Sequence, residues 1–546
     1  MKGLNRMAKP VRGRNAVSVL VGIVRILASL TFVWASKRLV DIVTGVVDAP
    51  LNPNVFLMVG IMLVQISCNL FSNYWMNLNV VKTQNSLRLG LFAHVLNARW
   101  SGREAFRSGD TINRLEEDIR VLTELICNRI PEVLITSTQL LAASAYLMWM
   151  EASLLWVLVV LMVVAVLGSK LFFGKLRQLT AVIRGQDSEV QQLLQENLQN
   201  RVLVLTLFGV GHVVSRLASL QDLLKKNTVK RLNYNAVARG FMSFGFMAGY
   251  AAAFLWGIFG IKSGAVTFGM MTAFLQLVSQ IQRPIADLGR QVPAFIKALT
   301  SIERLLELED LKVENYRGDI RLEGAPGIEM KDVTFAYEGK NVLEHFSHVF
   351  RPGTFTVIAG PTGVGKSTLT RLMLGLLTPE QGKVLLYSPG GQSHVADVNT
   401  RCNFMYVPQG NSLMSGTIRE NMRLAKPDAT DTEIEEALNI AAAGFVHELP
   451  DGLDTLCGEG GTGLSEGQSQ RIAIARALLH EGGVMILDEA TSALDSETEE
   501  RLLKNIASRY KGKKTVIFIS HRPAAARIAD EVLNLFEFVA RKGEII

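Results

Sequence analysis

Cysteine is nearly absent from this chain. Cys68, Cys127, Cys402 and Cys457 are scattered through 546 residues with no CxxC pair. The spacing suggests neither a disulfide framework nor a zinc site, and leaves four free thiols in a reducing or buried setting. A basic patch of the kind that tracks nucleic acid is also lacking. The formal charge is +7, but the cations follow the spacing of the apolar runs instead of gathering on one segment. What the chain has in excess is apolar sequence: 49% of its residues are hydrophobic and the mean hydropathy is positive. The apolarity is confined to residues 1–300, whereas 310–546 read as a soluble α/β domain. The length allows two or more domains.

Six long apolar stretches, at about 16–43, 55–80, 130–150, 153–173, 238–261 and 266–283, meet or approach the roughly 20 residues a helix needs to cross a bilayer. The first follows a basic N-terminus, as a signal peptide would. It is too long for one and carries Arg25, Lys37 and Arg38, so it reads as a retained span. Lysine and arginine are missing from the 44–54 loop and from the turn around Glu151. Residues 1–15 hold five of them, 81–129 eight and 170–237 ten. This asymmetry predicts a multi-pass protein of the cytoplasmic (inner) membrane with both termini cytoplasmic, tiny outer loops and two long inner ones. Leu87, Leu91 and Val95, then Leu193, Leu194 and Leu198, recur at helical spacing, so the spans are expected to continue as helices into the cytoplasm. The turns at the far ends of these loops are expected at about 114–122 and 207–215.

In the second half, Phe355–Ala359 is an apolar strand, Gly360-Pro361-Thr362-Gly363-Val364-Gly365-Lys366-Ser367-Thr368 a glycine-rich turn, and Leu369 to Leu377 a helix-like run. That is the context a phosphate-binding loop requires. Its glycines let backbone N–H groups converge on phosphates, and the helix N-terminus adds a positive dipole end. Lys366 can reach the β- and γ-phosphates, and the Ser367 hydroxyl can sit on Mg²⁺.

Further segments follow in order: Tyr406-Val407-Pro408-Gln409, Leu464-Ser465-Glu466-Gly467-Gln468, Val484 to Glu489, Ser492-Ala493-Leu494-Asp495 and Ile519-Ser520-His521. Phe335-Ala336-Tyr337 precedes the loop. The ordered set resembles the nucleotide-binding domain of ABC transporters over about 320–546. The six spans resemble the exporter-type membrane domain. Ser108-Gly109-Asp110, Arg114 to Asp118 and Ser301-Ile302-Glu303-Arg304 add scattered motifs to that likeness. The fold class expected is therefore an all-α six-helix membrane domain, 1–310, joined to an α/β P-loop NTPase domain, 320–546.

Chemistry assigns expected roles. Asp488 holds Mg²⁺ through water, and Glu489 polarises the attacking water. His521 hydrogen-bonds the γ-phosphate, Gln409 bridges the metal or water to the membrane domain, and Tyr337 stacks on adenine. The resemblance implies that Ser465, Gly467 and Gln468 close over ATP held by a second cassette. One chain would then be half a transporter, needing a second subunit, identical or not. Glu466 stands where the family usually has glycine. Ser465 and the Gly467 backbone remain, and an acid at a helix N-terminus is favourable by about 0.3–1 kcal/mol. Shortly after the last strand the chain reaches Ile546, and the additional C-terminal helices usual in the family are expected to be missing.

Gln65, Asn69, Asn73 and Asn77, each four apart, form an inclined amide stripe on span two, and Gln276 and Gln280 share a face of span six with Arg283 and Asp287. Such groups are costly at membrane depth, so they face a cavity or one another. Lys37 and Arg38 either pair with Asp41 or snorkel outward. Gly245 and Gly249 permit close helix packing. The expected activity is ATP-driven export, by alternating access, of an amphipathic, lipid-like, peptide or drug-like substrate, in contact with membrane lipid and without nucleic acid. An importer of a metal chelate on the same fold and a soluble ABC ATPase are the alternatives.

Overall fold

The computed structural model describes Met7 and residues 9–536, apart from 101–107, 338, 459–460 and 462. The expectations resting on Lys2, Arg6 and the chain end at Ile546 lie outside the described residues. The chain forms two compact units, Met1–Ala93 with Asp110–Asp310, and His94–Gly109 with Leu311–Ile546.

The first unit is helical. Its long helices are α1 (Arg12–Val43), α2 (Leu51–Leu96), α3 (Gly109–Met150), α4 (Ala152–Gln199), α5 (Val210–Lys262) and α6 (Phe268–Glu309). Helices α1 to α5 belong to apolar runs long enough to cross a membrane. Helix α6 does not reach that apolarity. It carries Gln276, Gln280, Gln282, Arg283 and Asp287, and it packs against α1, α3 and α5. Its buried Phe274, Leu277, Val278 and Ile281 form a core with Val33, Leu147, Leu158 and Ala253. A helix enclosed by other helices gains its stability from protein packing, so its sequence needs less lipid-compatible surface.

Close approach is set by small residues. A Cβ at Gly245 would overlap Ala165, and one at Gly249 would overlap the Gln282 amide. Near the end of α1, the buried Asp41 pairs with Lys37 at 3.2 Å and accepts the Gly269 N–H at 3.2 Å. That carboxylate joins the end of α1 to the first turn of α6. The Arg38 guanidinium lies 5.3 Å over the Trp34 ring, a favourable cation–π distance.

One of the two expected turns lies elsewhere. Residues 114–122 are inside α3, in a π-helical segment, Arg114–Asp118, and the α-helical turn after it. Several of their charges are paired with residues on α6. Arg114 pairs with Glu307, Arg304 with Asp110, and the Ser301 hydroxyl donates to the buried Asp118 at 2.8 Å. Helix α2 ends earlier, at Leu96. There Asn97 and Arg99 bond to Glu314 and Lys312 within the second unit. The other turn falls within the expected 207–215. A short helix, Arg201–Thr206, ends at Phe208, which has φ 52° and is 94% exposed, before α5 begins.

The second unit holds two sheets. Strands β1 (Gly327–Tyr337), β2 (Lys340–Phe350), β4 (Gln381–Tyr387) and β5 (Ser393–Val395) make an antiparallel sheet in the order β2-β1-β4-β5. Strands β3 (Phe355–Ala359), β6 (Phe404–Val407), β9 (Val484–Asp488), β10 (Thr515–Ile519) and β11 (Glu531–Asn534) make a parallel sheet in the order β11-β3-β10-β9-β6. Gly416–Thr417 and Leu456–Cys457 pair as β7 and β8. Strands β9 and β10 are buried at every position, as expected for parallel strands covered on both faces.

Candidate nucleotide-binding site

Open parallel sheets bind ligands beyond the carboxyl ends of their strands. Three expected site segments leave from such ends on neighbouring strands. The glycine-rich loop follows β3, Ser520-His521 follows β10, and Asp488-Glu489 ends β9. Gln409 lies two residues past β6, beside β9. Sheet order thus gathers residues separated by up to 155 positions.

The loop enters helix α7 (Lys366–Met373) through Gly365, whose φ of 107° a side chain would strain. Lys366 is buried; its Nζ donates to the Gly360 carbonyl at 2.6 Å and lies 2.5 Å from His521 Nε2. Burial pushes the Lys366 pKa down, with Glu489 and Asp488 opposing it. A phosphate would replace those makeshift partners with a negative charge.

Asp488 is 4% exposed. Burial and the neighbouring Glu489 push its pKa up to about 6, against Lys366 and Arg371. Glu489 has φ 48°, a left-handed conformation that costs a non-glycine residue on the order of 1 kcal/mol or more, and its N–H donates to Ile519 O at 2.9 Å. Its carboxylate accepts from Gln409 Nε2 at 2.7 Å and lies 3.8 Å from His521 Nε2. Gln409 Oε1 is left without a protein hydrogen bond among the described residues. The donor set expected for Mg²⁺, namely the Ser367 hydroxyl, the Gln409 amide oxygen and the desolvated Asp488 carboxylate, consists of hard oxygens and fits that ion.

Of the remaining expected residues, Tyr337 packs against the same apolar cluster as Val364 of the loop. Tyr337 ends β1 in the antiparallel sheet, edge-on to Phe335 at 4.9 Å between centroids. Ser465 caps helix α8 (Glu466–Leu479): its hydroxyl accepts the Gln468 N–H at 3.2 Å, and its own N–H donates to Gln468 Oε1 at 2.8 Å. Glu466 is the first residue of that helix. A Cβ at Gly467 would press on Ala493 O. Among the described residues no hydrogen bond joins Ser465–Gln468 to Gly360–Thr368. The site therefore falls into two halves on one cassette.

Four residues that hold the site together, Gln470, Arg522, Glu499 and Thr491, belong to none of the expected roles. Gln470 donates to Ser492 Oγ and accepts from Ala493 N, tying α8 to the segment after Glu489. Arg522 donates to Leu494 O, Ser492 O and the buried Glu499, whose other oxygen accepts from Thr491. Arg522 directly follows His521, which is the one signal the sequence offers.

A phosphate-binding cassette joined in one chain to a bundle of apolar helices defines a membrane-embedded, ATP-driven transporter. Residues 16–285 match the ABC transporter transmembrane region and residues 343–492 the ABC transporter domain. Among relatives, the chain is 29% identical to the ATP-dependent lipid A-core flippase of Haemophilus influenzae (strain 86-028NP), over 97% of this chain and 92% of that protein. It is 26% identical to the putative multidrug export ATP-binding/permease protein YgaD of Bacillus subtilis (strain 168), over 100% and 95%. The solved structure of a bacterial Atm1-family ABC exporter with ATP bound superposes with a TM-score of 0.77 at 23% identity, covering 97% of this chain and 96% of that one. The chain belongs to the ABC transporter family, with an exporter-type membrane domain and an ATP-binding cassette in one polypeptide. It is a multi-pass membrane protein that couples ATP hydrolysis to transport. The fused membrane region overturns the soluble-ATPase alternative, and the exporter fold and exporter relatives speak against the importer.

Proposed function

We propose that this protein exports an amphipathic substrate across the cytoplasmic membrane, with both termini on the cytoplasmic side. It works as a dimer in which each Ser465–Gln468 segment closes over ATP held by the partner's loop. The observation that carries this reading is the division of the site: the capped N-terminus of α8 presents Ser465 and Gly467 with no bond to its own loop. Backbone amides from Gly360 to Thr368 and the Lys366 ammonium take the phosphates, Tyr337 the base, and His521 the γ-phosphate. Glu489 accepts the proton of the attacking water. Mg²⁺, when bound with ATP, supplies positive charge at the β- and γ-oxygens, and Ser367, Gln409 and Asp488 would hold it.

Every motif for hydrolysis is present in this chain, so two copies suffice. Purified alone in nanodiscs, it is expected to be a dimer with Mg²⁺-dependent ATPase activity. An inactive monomer that gains activity only with a second polypeptide would overturn the homodimer. Direction is read in oriented vesicles: inside-out vesicles are expected to accumulate substrate with ATP, and ATP-dependent depletion would mean import.

A further inference from the structure

In the helical unit, α1, α2 and α3 form an open groove of about 360 Å³ lined by Arg25, Ile26, Ser29, Gln65, Ile66, Asn69 and Gln139. Arg25 lies 18 residues before the end of α1, about 27 Å along the helix, near the inner edge of an apolar core about 30 Å thick. A cation within or bordering that core is commonly paired with a carboxylate. Lys37, further along α1, has one in Asp41. Arg25 has none among the described residues: its only protein bond runs from Nη1 to Asn69 Oδ1 at 3.2 Å. A guanidinium carries five N–H donors, so most are left for something else.

The lining has the same bias. No aspartate or glutamate belongs to it. Asn69 spends its oxygen on Arg25, which leaves its amide N–H groups. Ser29 lies one turn beyond Arg25 on the same helix, and Gln139 contributes from α3. Gln65 spends an amide N–H on Ala28 O and adds one acceptor, but donors and one positive charge without a carboxylate partner predominate around a space of the size that holds a small polar group. Ile26 and Ile66 supply an apolar margin.

We propose that this groove binds the anionic group, phosphate or carboxylate, of an amphipathic substrate, with Arg25 as its counter-ion. The substrate role rests on the export reading above; the site itself does not. A bidentate guanidinium–anion pair forms strong, charge-assisted bonds in a region of low dielectric constant. The apolar remainder of the ligand would lie along Ile66 and the membrane-facing side of α2.

The test uses the full chain in phosphatidylcholine nanodiscs and two fluorescent short-chain probes, a phosphatidic acid and the matching phosphatidylcholine. The wild type is expected to bind the phosphatidic acid about tenfold or more tighter, a gap of the size of one charge-assisted hydrogen bond. Arg25→Gln should erase the difference, and Arg25→Lys should keep most of it. A thermal melt and a dimer peak establish that each variant is folded. If Arg25→Gln does not fold, Gln139→Leu combined with Ser29→Ala carries the same test from the other walls and should weaken binding of the anionic probe alone. Competition by glycerol 3-phosphate would show that a soluble anion suffices; no competition would show that the apolar chain is needed. A folded Arg25→Gln that binds phosphatidic acid as the wild type does would overturn the site. That result would leave export untouched, whereas Arg25-dependent binding without ATP-driven uptake would remove export and keep the site.

Discussion

The cassette and the helical bundle treat their polar side chains differently. At the nucleotide site several expected groups are bonded to one another, Gln409 to Glu489, Lys366 to His521 and Gly360, Ser465 to Gln468, while the Tyr337 hydroxyl is buried without a partner among the described residues. In the bundle several are not. Arg25 has one bond, Asn73 and Asn77 are exposed with no bond among the described residues, and Gln280 Oε1 is buried without a partner. Preorganised groups cost little reorganisation at the moment of reaction and suit one fixed ligand. Unbonded donors and acceptors cost stability and are kept where a ligand or a second conformation satisfies them.

The most severe way to break the comparison is to remove Glu489, the proposed base of the cassette. Glu489→Gln is expected to lower turnover by about 10²–10⁴ while ATP still binds, as measured by steady-state hydrolysis and nucleotide affinity. Near-normal hydrolysis would take Glu489 out of the role. Next is Asp488. Its folded pKa of about 6 lies above the ordinary carboxylate value. The folded state therefore holds the proton more tightly, and ionisation costs stability at pH above about 6. That cost fades as pH falls through 6 toward 4. Asp488→Asn should raise nucleotide-free stability by about 1–3 kcal/mol at pH 8 and by little at pH 4. A melt showing equal gains at both would sink the assignment.

In the bundle, Gly249→Leu should cost about 1–3 kcal/mol by overlap with Gln282 and Leu158. Gly240, which has open space, should accept alanine without loss. The smallest effects sharpen the contrast most. Gln65→Ala removes the bond from Nε2 to Ala28 O at 2.9 Å and should cost about 0.5–1.5 kcal/mol. Asn73→Ala and Asn77→Ala, which break no bond, should leave the melting temperature alone and alter substrate-stimulated hydrolysis instead. Lower stability with unaltered stimulation would make the whole amide stripe helix-to-helix glue.

The two units are also unequally legible in sequence. The cassette's site residues follow strand ends, and strand ends recur in a fixed order, so short motifs suffice to mark them. What the motifs hide are the long-range ties: the Gln409–Glu489 bond, the left-handed Glu489 and the Thr491–Glu499–Arg522 chain. In the bundle, apolar length shows where helices run but not what they touch. Asp41 meets Gly269 from 228 residues away, and nothing local announces it. The amide stripe, uniform in sequence, is divided in the folded chain: Gln65 and Asn69 bond to α1, and Asn73 and Asn77 do not. Several charges of 110–118 are likewise paired with residues on α6.

The central claim is that ATP held by the cassettes closes the polar face of the bundle. It is tested most directly by cysteine labelling at position 73. Asn73→Cys, in a background with Cys68 replaced and Glu489→Gln to hold ATP, is treated from the cytoplasmic side with a membrane-impermeant thiol reagent. Rapid labelling without nucleotide and strongly slowed labelling with Mg²⁺-ATP are the predicted result. Equal labelling in both states, in protein shown to bind ATP, would contradict it.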